Sequence, residues 1–308
     1  MTVITAPDEL KHALSSGMLS FPLTDFDAQG EFSPGGFARR LEWLGGYGAG
    51  ALFAAGGAGE FFSLTAPEYS AVIRQAVAVT AGARPVIAAI GYGTRMAIDL
   101  AREAQDQGAN GLLLLPPYLT EASQQGLMDH VIAVCNATRL GVIVYNRANM
   151  RIRAETLARL VQACPNLVGF KDGVGDTEEL LKIKAFLGDR LLCINGMPTA
   201  EIYASAYCGM GVPVYSSAIF NFVPKSSLAF HKAVLAGDQA MIQQFTRDFL
   251  APYGALRARQ PGYAVSIVKA GAAIVGHSAG KVRPPLSEVT PEERAELERL
   301  IARLGPQD

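Results

Sequence analysis

Five short stretches of this 308-residue chain carry groups able to do chemistry. The run LVGFKDG sets Lys171 between Phe170 and Asp172 in otherwise apolar surroundings. A charged ammonium in a strand buried on both faces carries a large desolvation cost. One resolution is a largely neutral amine, its pKa falling from ~10.4 toward neutrality, which makes it a nucleophile able to attack a ketone. The other is an amine at the strand mouth, paired with Asp172 and reaching water. The run GVIVYN ends in Tyr145 and Asn146, where a phenol can carry a proton or simply occupy a strand end with a wet tip. In AAGGAGEFF, the residues Gly56, Gly57, Ala58 and Gly59 leave successive backbone N–H groups unobstructed, as in a carboxylate- or phosphate-binding nest or a tight turn. The Lys and Ser/Thr of a phosphate loop are missing from it. Two further runs, INGMPT and VYSSAIFNFVP, offer Asn195, Gly196, Ser216, Ser217 and Asn221, which suit either orientation of hydroxyls and carboxylates or ordinary turn chemistry. No His/Asp spacing suggests a hydrolase triad. His12, His130, His231 and His277 fall in helical or tail segments, so no metal site is expected.

Each of these runs follows an apolar stretch, and such stretches recur. Strands are expected near Met18–Leu23, Ala51–Gly56, Pro85–Ile90, Gly111–Pro116, Gly141–Asn146, Leu167–Asp172, Leu191–Asn195 and Val212–Ser217. Amphipathic stretches lie between them, including Pro67–Thr80, Arg95–Gln107, Ala122–Ala137 and Asp176–Leu187, with Thr65, Thr94 and Asp176 as helix openers. Eight βα units in succession predict an α/β fold of the (β/α)8 TIM-barrel type, with reactive groups at the carboxyl ends of the strands. An open doubly wound sheet would carry a glycine fingerprint after its first strand, and SFPLTDFDAQG has none. The expected organisation is barrel strands and helices over 1–223, then the last barrel helix and a C-terminal helical extension over 224–308 in the same structural unit.

Composition narrows the partners. Lys plus Arg (27) nearly balances Asp plus Glu (28), and no basic run suits a row of phosphates, so a small molecule is expected rather than nucleic acid. No apolar stretch has the ~20 charge-free residues of a membrane span, and MTVITAPDELKHAL lacks the order of a secretory signal, so no membrane partner and a cytoplasmic location are expected. Cys135, Cys164, Cys193 and Cys208 lie apart in apolar contexts without a CxxC pair, as buried free thiols do.

Taken in order, these motifs resemble the class I aldolase superfamily that includes dihydrodipicolinate synthase and N-acetylneuraminate lyase, over essentially the whole chain. Gly56–Glu60 (GGAGE) resembles the family's G-x-[ST]-G-E pyruvyl-carboxylate loop, Tyr145 and Asn146 its tyrosine motif, and Gly169–Asp172 (GFKD) its Schiff-base lysine strand. Three departures point within the family. Gly57 and Ala58 replace hydroxyl residues, so a carboxylate would rest on backbone N–H groups; Leu119 in PPYL stands where synthases have a second tyrosine; and YNRAN replaces YN-x-P, placing Arg147 just past the fifth strand. That guanidinium would either clamp a distal carboxylate or sit solvated in a loop. The set GEFFSL, PPYL, YNRAN, GFKDG and YSSAIFNFVP is most similar to the decarboxylating 5-dehydro-4-deoxyglucarate dehydratase branch.

The resemblance implies catalysis by Lys171 through an imine and by Tyr145 through proton transfer. Substrate contacts are expected from Gly57, Ala58, Arg147, Asn195, Gly196 and Ser217, with Ser217 or the substrate's own carboxylate assisting Tyr145. Loss of water and CO2 from a sugar diacid would give 2,5-dioxopentanoate with no metal or organic cofactor. The family's tetramers imply a homo-oligomer, a dimer or tetramer. Two alternatives stand beside this one: a pyruvate-dependent class I aldolase acting on a 2-keto-3-deoxy sugar acid, and a non-catalytic carboxylate-binding barrel.

Overall fold

The computed structural model describes residues 6–15, 17–117 and 121–307. Leu119, and with it the end of the PPYL motif, lies outside the described residues. Eight parallel strands are present: β1 (Leu19–Ser20), β2 (Ala51–Ala54), β3 (Val86–Ile90), β4 (Gly111–Leu114), β5 (Gly141–Asn146), β6 (Leu167–Asp172), β7 (Leu192–Asn195) and β8 (Ser216–Ser217). They pair in the order β7-β6-β5-β4-β3-β2-β1-β8. A parallel bridge between Asn195 and Tyr215 brings the two ends of that order together and completes the expected barrel.

The helices are α1 (Pro7–Leu14), α2 (Pro34–Gly45), α3 (Ala66–Thr80), α4 (Thr94–Asp106), α5 (Gln124–Asn136), α6 (Ala154–Ala163), α7 (Thr177–Leu187), α8 (Ala204–Gly209), α9 (Pro224–Ala236), α10 (Gln239–Phe245), α11 (Ala251–Arg257), α12 (Tyr263–Ile274) and α13 (Pro291–Ala302). One helix from α2 to α9 follows each strand. Thr65 and Asp176 cap α3 and α7 by accepting backbone N–H bonds, as their sequence contexts predict. Thr94 does not cap: Gly93 holds that position, and the Thr94 hydroxyl hydrogen-bonds His130 Nδ1 at 2.9 Å. Helix α1, with Pro7 at its first position, acids in its first turn and bases in its last, packs Leu10 against Gly111 and Gly141, where no Cβ stands in the way.

The first and last strands are much shorter than their apolar runs, and proline is the cause. Pro22 and Pro213 have no N–H to give a ladder. Past Pro22 a side chain takes over the pairing: Asn221 accepts from Leu23 N at 3.0 Å and donates to Phe21 O at 2.9 Å. Asn221 is therefore a splint across the β1–β8 seam and not a substrate ligand.

Two apolar clusters fill the molecule. One lies in and around the barrel strands, and the other joins Leu23, Leu44, Tyr215 and Phe222 to aromatic and aliphatic side chains of α9 to α13. Residue types at close approaches match: a Cβ on Gly271 of α12 would lie 2.7 Å from the Phe222 ring. Cys135, Cys164 and Cys193 are buried free thiols, while Cys208 is half-buried.

A buried ion pair ties the loop after β1 to α2 and to the chain past α12. Arg40 Nε and Nη2 lie 2.7 and 3.0 Å from the Asp25 carboxylate oxygens, and Nη2 also donates to His277 O at 2.8 Å. Replacing Arg40 by methionine would strand a carboxylate in the interior. Arg40→Met is expected to lose about 3–5 kcal/mol of unfolding free energy, read by urea denaturation; a loss under about 1 kcal/mol would mean that Asp25 finds water.

Candidate active site

A cavity of about 730 Å3 opens at the carboxyl ends of the strands, within the usual range for a small-ligand site. Lys171 and Tyr145 both line it. They are direct register partners on β6 and β5, so both side chains leave the sheet on the same side. That register depends on a shift in the pairing: Val142 pairs with Leu167 but Ile143 with Gly169, so Val168 is looped out.

Lys171 is 5% exposed, and among the described residues its amine has no hydrogen bond or ion pair. Two aromatic faces flank it, with Nζ 4.4 Å from the Phe21 ring centre and 4.0 Å from that of Tyr145. Phe21 is itself fixed by stacking on Phe53 at 4.4 Å. Burial, aided by the nearby Arg147 charge, pushes the Lys171 ammonium down to about 7. The alternative of a pair with Asp172 is not realised, because adjacent strand residues face opposite ways. Asp172 accepts from Tyr207 Oη at 2.6 Å, Asn146 Nδ2 at 3.2 Å and Val174 N at 3.0 Å.

Tyr145 donates its hydroxyl hydrogen to Gly196 O at 2.8 Å and accepts from Arg147 Nη1 at 3.0 Å. Burial raises the phenol, and Arg147 partly opposes that. Arg147 reaches back because Arg147 and Met150 exchange both backbone hydrogen bonds around Ala148, whose φ is 50°. Arg147 is thus an exposed loop residue that lines the cavity and is bonded to the phenol.

Two glycines make room for this pair. A Cβ on Gly196 would lie 2.6 Å from Lys171 Cγ and 3.0 Å from Tyr145 Cε2, and one on Gly173 would lie 2.8 Å from Tyr145 Cε2. Both extend the ladder past the strand ends, Gly173 N donating to Asn146 O and Gly196 N to Asp172 O. Gly196 serves by its missing side chain and by its carbonyl.

The GGAGE loop divides its work. Gly57 and Ala58 line the cavity, and their N–H groups make no hydrogen bond among the described residues, as an anion nest requires. Glu60 turns back in the left-handed region (φ 55°) and is buried against the C-terminal extension. Its carboxylate lies 2.7 Å from Lys269 Nζ and accepts from Arg283 N at 2.9 Å. The loop's acid is thereby neutralised by a lysine of α12.

Asn195 and Ser217, expected at the substrate, do not line the cavity. Asn195 is fully buried, donating to Ala200 O and accepting from Met197 N. Ser217 donates to Glu201 and accepts from Phe220 N, while its neighbour Ser216 faces the cavity. Alternation along the strand selects one serine of the pair. Sequence reasoning also missed Tyr253 and Arg257, which reach the cavity from α11, and Pro284, Pro285 and Leu286. No strand-end rule finds them, because they arrive through packing of the extension. Among the described residues no group of three or more His, Cys, Asp or Glu is placed to hold a metal ion.

Gly196→Ala is expected to fold yet to slow imine formation between Lys171 and a small 2-oxo acid about 100-fold, because the added methyl displaces the amine; borohydride trapping checks it, and an unchanged rate would contradict the packing. Lys171 itself costs stability. The native state binds fewer protons at this site than the unfolded chain between about pH 7 and the ordinary lysine value near 10.5, so stability climbs through that window and the penalty is fully present below it. Lys171→Met is accordingly expected to raise Tm at pH 7, by calorimetry, with the gain shrinking toward pH 10.

Comparison with known proteins bears on the family and the fold. The family model described as the dihydrodipicolinate synthetase family matches residues 14–304. A protein of Ectopseudomonas mendocina named probable 5-dehydro-4-deoxyglucarate dehydratase is 56% identical over 98% of this chain and 99% of its own length. One of Paracidovorax citrulli with the same name is 58% identical over 98% of this chain and 99% of its own. Among solved structures, dihydrodipicolinate synthase from Oceanobacillus iheyensis superposes with a TM-score of 0.89 at 25% identity, covering 97% of this chain and 99% of that one. With its barrel, its Lys171 and Tyr145 strands and its GGAGE loop all in the matched region, the chain belongs to the dihydrodipicolinate synthetase family.

Proposed function

We infer that the protein is a Schiff-base-forming hydro-lyase that converts 5-dehydro-4-deoxy-D-glucarate to 2,5-dioxopentanoate, water and CO2. The observation that carries this reading is an amine without a counter-ion beside a phenol, in a chain 55–58% identical to relatives named for that substrate.

In this reading Lys171 Nζ adds to the C5 ketone and expels water, giving a protonated imine. The C6 carboxylate rests on the N–H groups of Gly57 and Ala58, which supply charge-assisted hydrogen bonds. The imine withdraws electrons from C4, and Tyr145 carries the C4 proton to the C3 hydroxyl, which leaves as water. Arg147, bonded to the phenolic oxygen, steadies negative charge on it during transfer. The C1–C2 bond then breaks, its electrons entering the conjugated iminium as CO2 departs. Protonation of the resulting enamine and hydrolysis of the imine release product and restore the amine, so one water and one CO2 are lost overall. Because Ser217 is turned toward Glu201, the substrate's own carboxylate is the remaining assistant to Tyr145. A homo-oligomer in the cytoplasm completes the proposal, on the strength of the family resemblance.

Lys171→Ala is expected to be folded and inactive, since the covalent route itself is lost. Tyr145→Phe is expected to lose about 10²–10⁴ in rate. Mass spectrometry of substrate, product and CO2 reads both; pyruvate as product would instead identify an aldolase, and ligand binding without turnover a non-catalytic barrel. Imine formation needs the neutral amine, so its rate should rise tenfold per pH unit up to about pH 7 and level off above. A profile still rising at pH 9 would place the amine in an ordinary, solvated setting.

A further inference from the structure

The charged groups lining the cavity are Glu60, Arg147, Lys171 and Arg257. Glu60 is neutralised by Lys269. Arg147 donates to Tyr145, and its charge is felt by Lys171, which places it at the reacting end. Arg257 belongs to another wall: its charge acts on Tyr253 and on buried Glu201, and its Nη1 donates to the Thr199 hydroxyl. Thr199 is presented by a left-handed backbone conformation, φ 52°, directly before the turn Ala200–Tyr203. Around Arg257 the wall is Tyr253, Gly262, Ala264, Val265 and Leu286, with no lining carboxylate. A half-buried guanidinium anchored by one nitrogen and, among the described residues, in no ion pair is built to receive an anion.

We propose that Arg257, positioned by Thr199, reads the second carboxylate of the substrate and so sets the preference for a diacid over a mono-acid. The assignment rests on the dehydratase reading above and moves the distal contact from Arg147, which lies on the phenol beside Lys171, to the C-terminal extension. The distal carboxylate is also the one that departs as CO2. Its charge vanishes on the way to the transition state, so a guanidinium on it strengthens substrate binding without accelerating the step.

The probes are 2-oxoadipate and 2-oxohexanoate, six-carbon 2-oxo acids with and without the second carboxylate and lacking a hydroxyl to expel. Their affinities are measured by borohydride trapping on Lys171 in the wild type, Arg257→Gln, Arg257→Lys and Arg147→Gln, alongside kcat and KM for 5-dehydro-4-deoxyglucarate. Arg257→Gln is expected to reduce the preference for the diacid probe by about 10–100-fold, the range for losing a charge-assisted hydrogen bond, and to raise KM more than it lowers kcat. Arg257→Lys should recover part of the preference. If Arg257→Gln fails to fold, Thr199→Val, which frees Nη1 but keeps the charge, should reduce the preference by about 2–10-fold. A preference retained in Arg257→Gln, or lost in Arg147→Gln alone, overturns the assignment. If wild type traps neither probe on Lys171 while binding them reversibly, the imine reading falls and this inference with it.

Discussion

Holding an amine in an apolar barrel without a counter-ion is the constraint around which this molecule is arranged. An ammonium at the Lys171 position is disfavoured by burial and by the neighbouring Arg147 charge, which favours the neutral amine that attack on a ketone requires. The same interior must exclude every group that would re-protonate it. Asp172, one residue away, is turned to the opposite face and committed to Tyr207 and backbone N–H groups, and Glu60 is matched to Lys269. What faces Lys171 instead is the aromatic surface of Phe21 and Tyr145.

Much of the surrounding architecture serves that placement. The looped-out Val168 aligns Lys171 with Tyr145, and Gly173 and Gly196 leave the space in which the two side chains meet. The Ala148 turn brings a guanidinium onto the phenol from only two residues away. Each device is local, yet each has a purpose only because β5, β6 and β7 are neighbours. Such sites carry a stability cost that the rest of the fold offsets, here through two apolar clusters and buried pairs such as Arg40–Asp25.

The C-terminal helices are part of the chemistry as well as the packing. Lys269 of α12 neutralises the acid of the carboxylate loop, the Arg283 segment is held by Glu60 and Gly30, and α11 contributes Tyr253 and Arg257 to the cavity. The barrel supplies the reacting groups on strand ends, where backbone ladders fix them. The extension supplies another wall of the same cavity.

By itself the chain determined the eight βα units and the barrel, because strand periodicity is local; it marked Lys171 and Tyr145 as strand-end candidates, and the family resemblance made them a catalytic pair. The unobstructed backbone N–H groups at Gly57 and Ala58 were legible for the same reason: they belong to consecutive residues. Tertiary structure alone decided which way each side chain points and what it meets. Ser216 rather than Ser217 faces the cavity, Asn195 turns into the scaffold, Asn221 splints the seam that Pro22 opens, and Asp172 turns away from Lys171. Arg257 is 86 residues beyond Lys171 in the chain, and only the packing of α11 on the barrel brings both to one cavity. The physical reason is that sequence spacing encodes periodicity within one element, whereas register between strands and the docking of distant helices are fixed by contacts that no single segment contains.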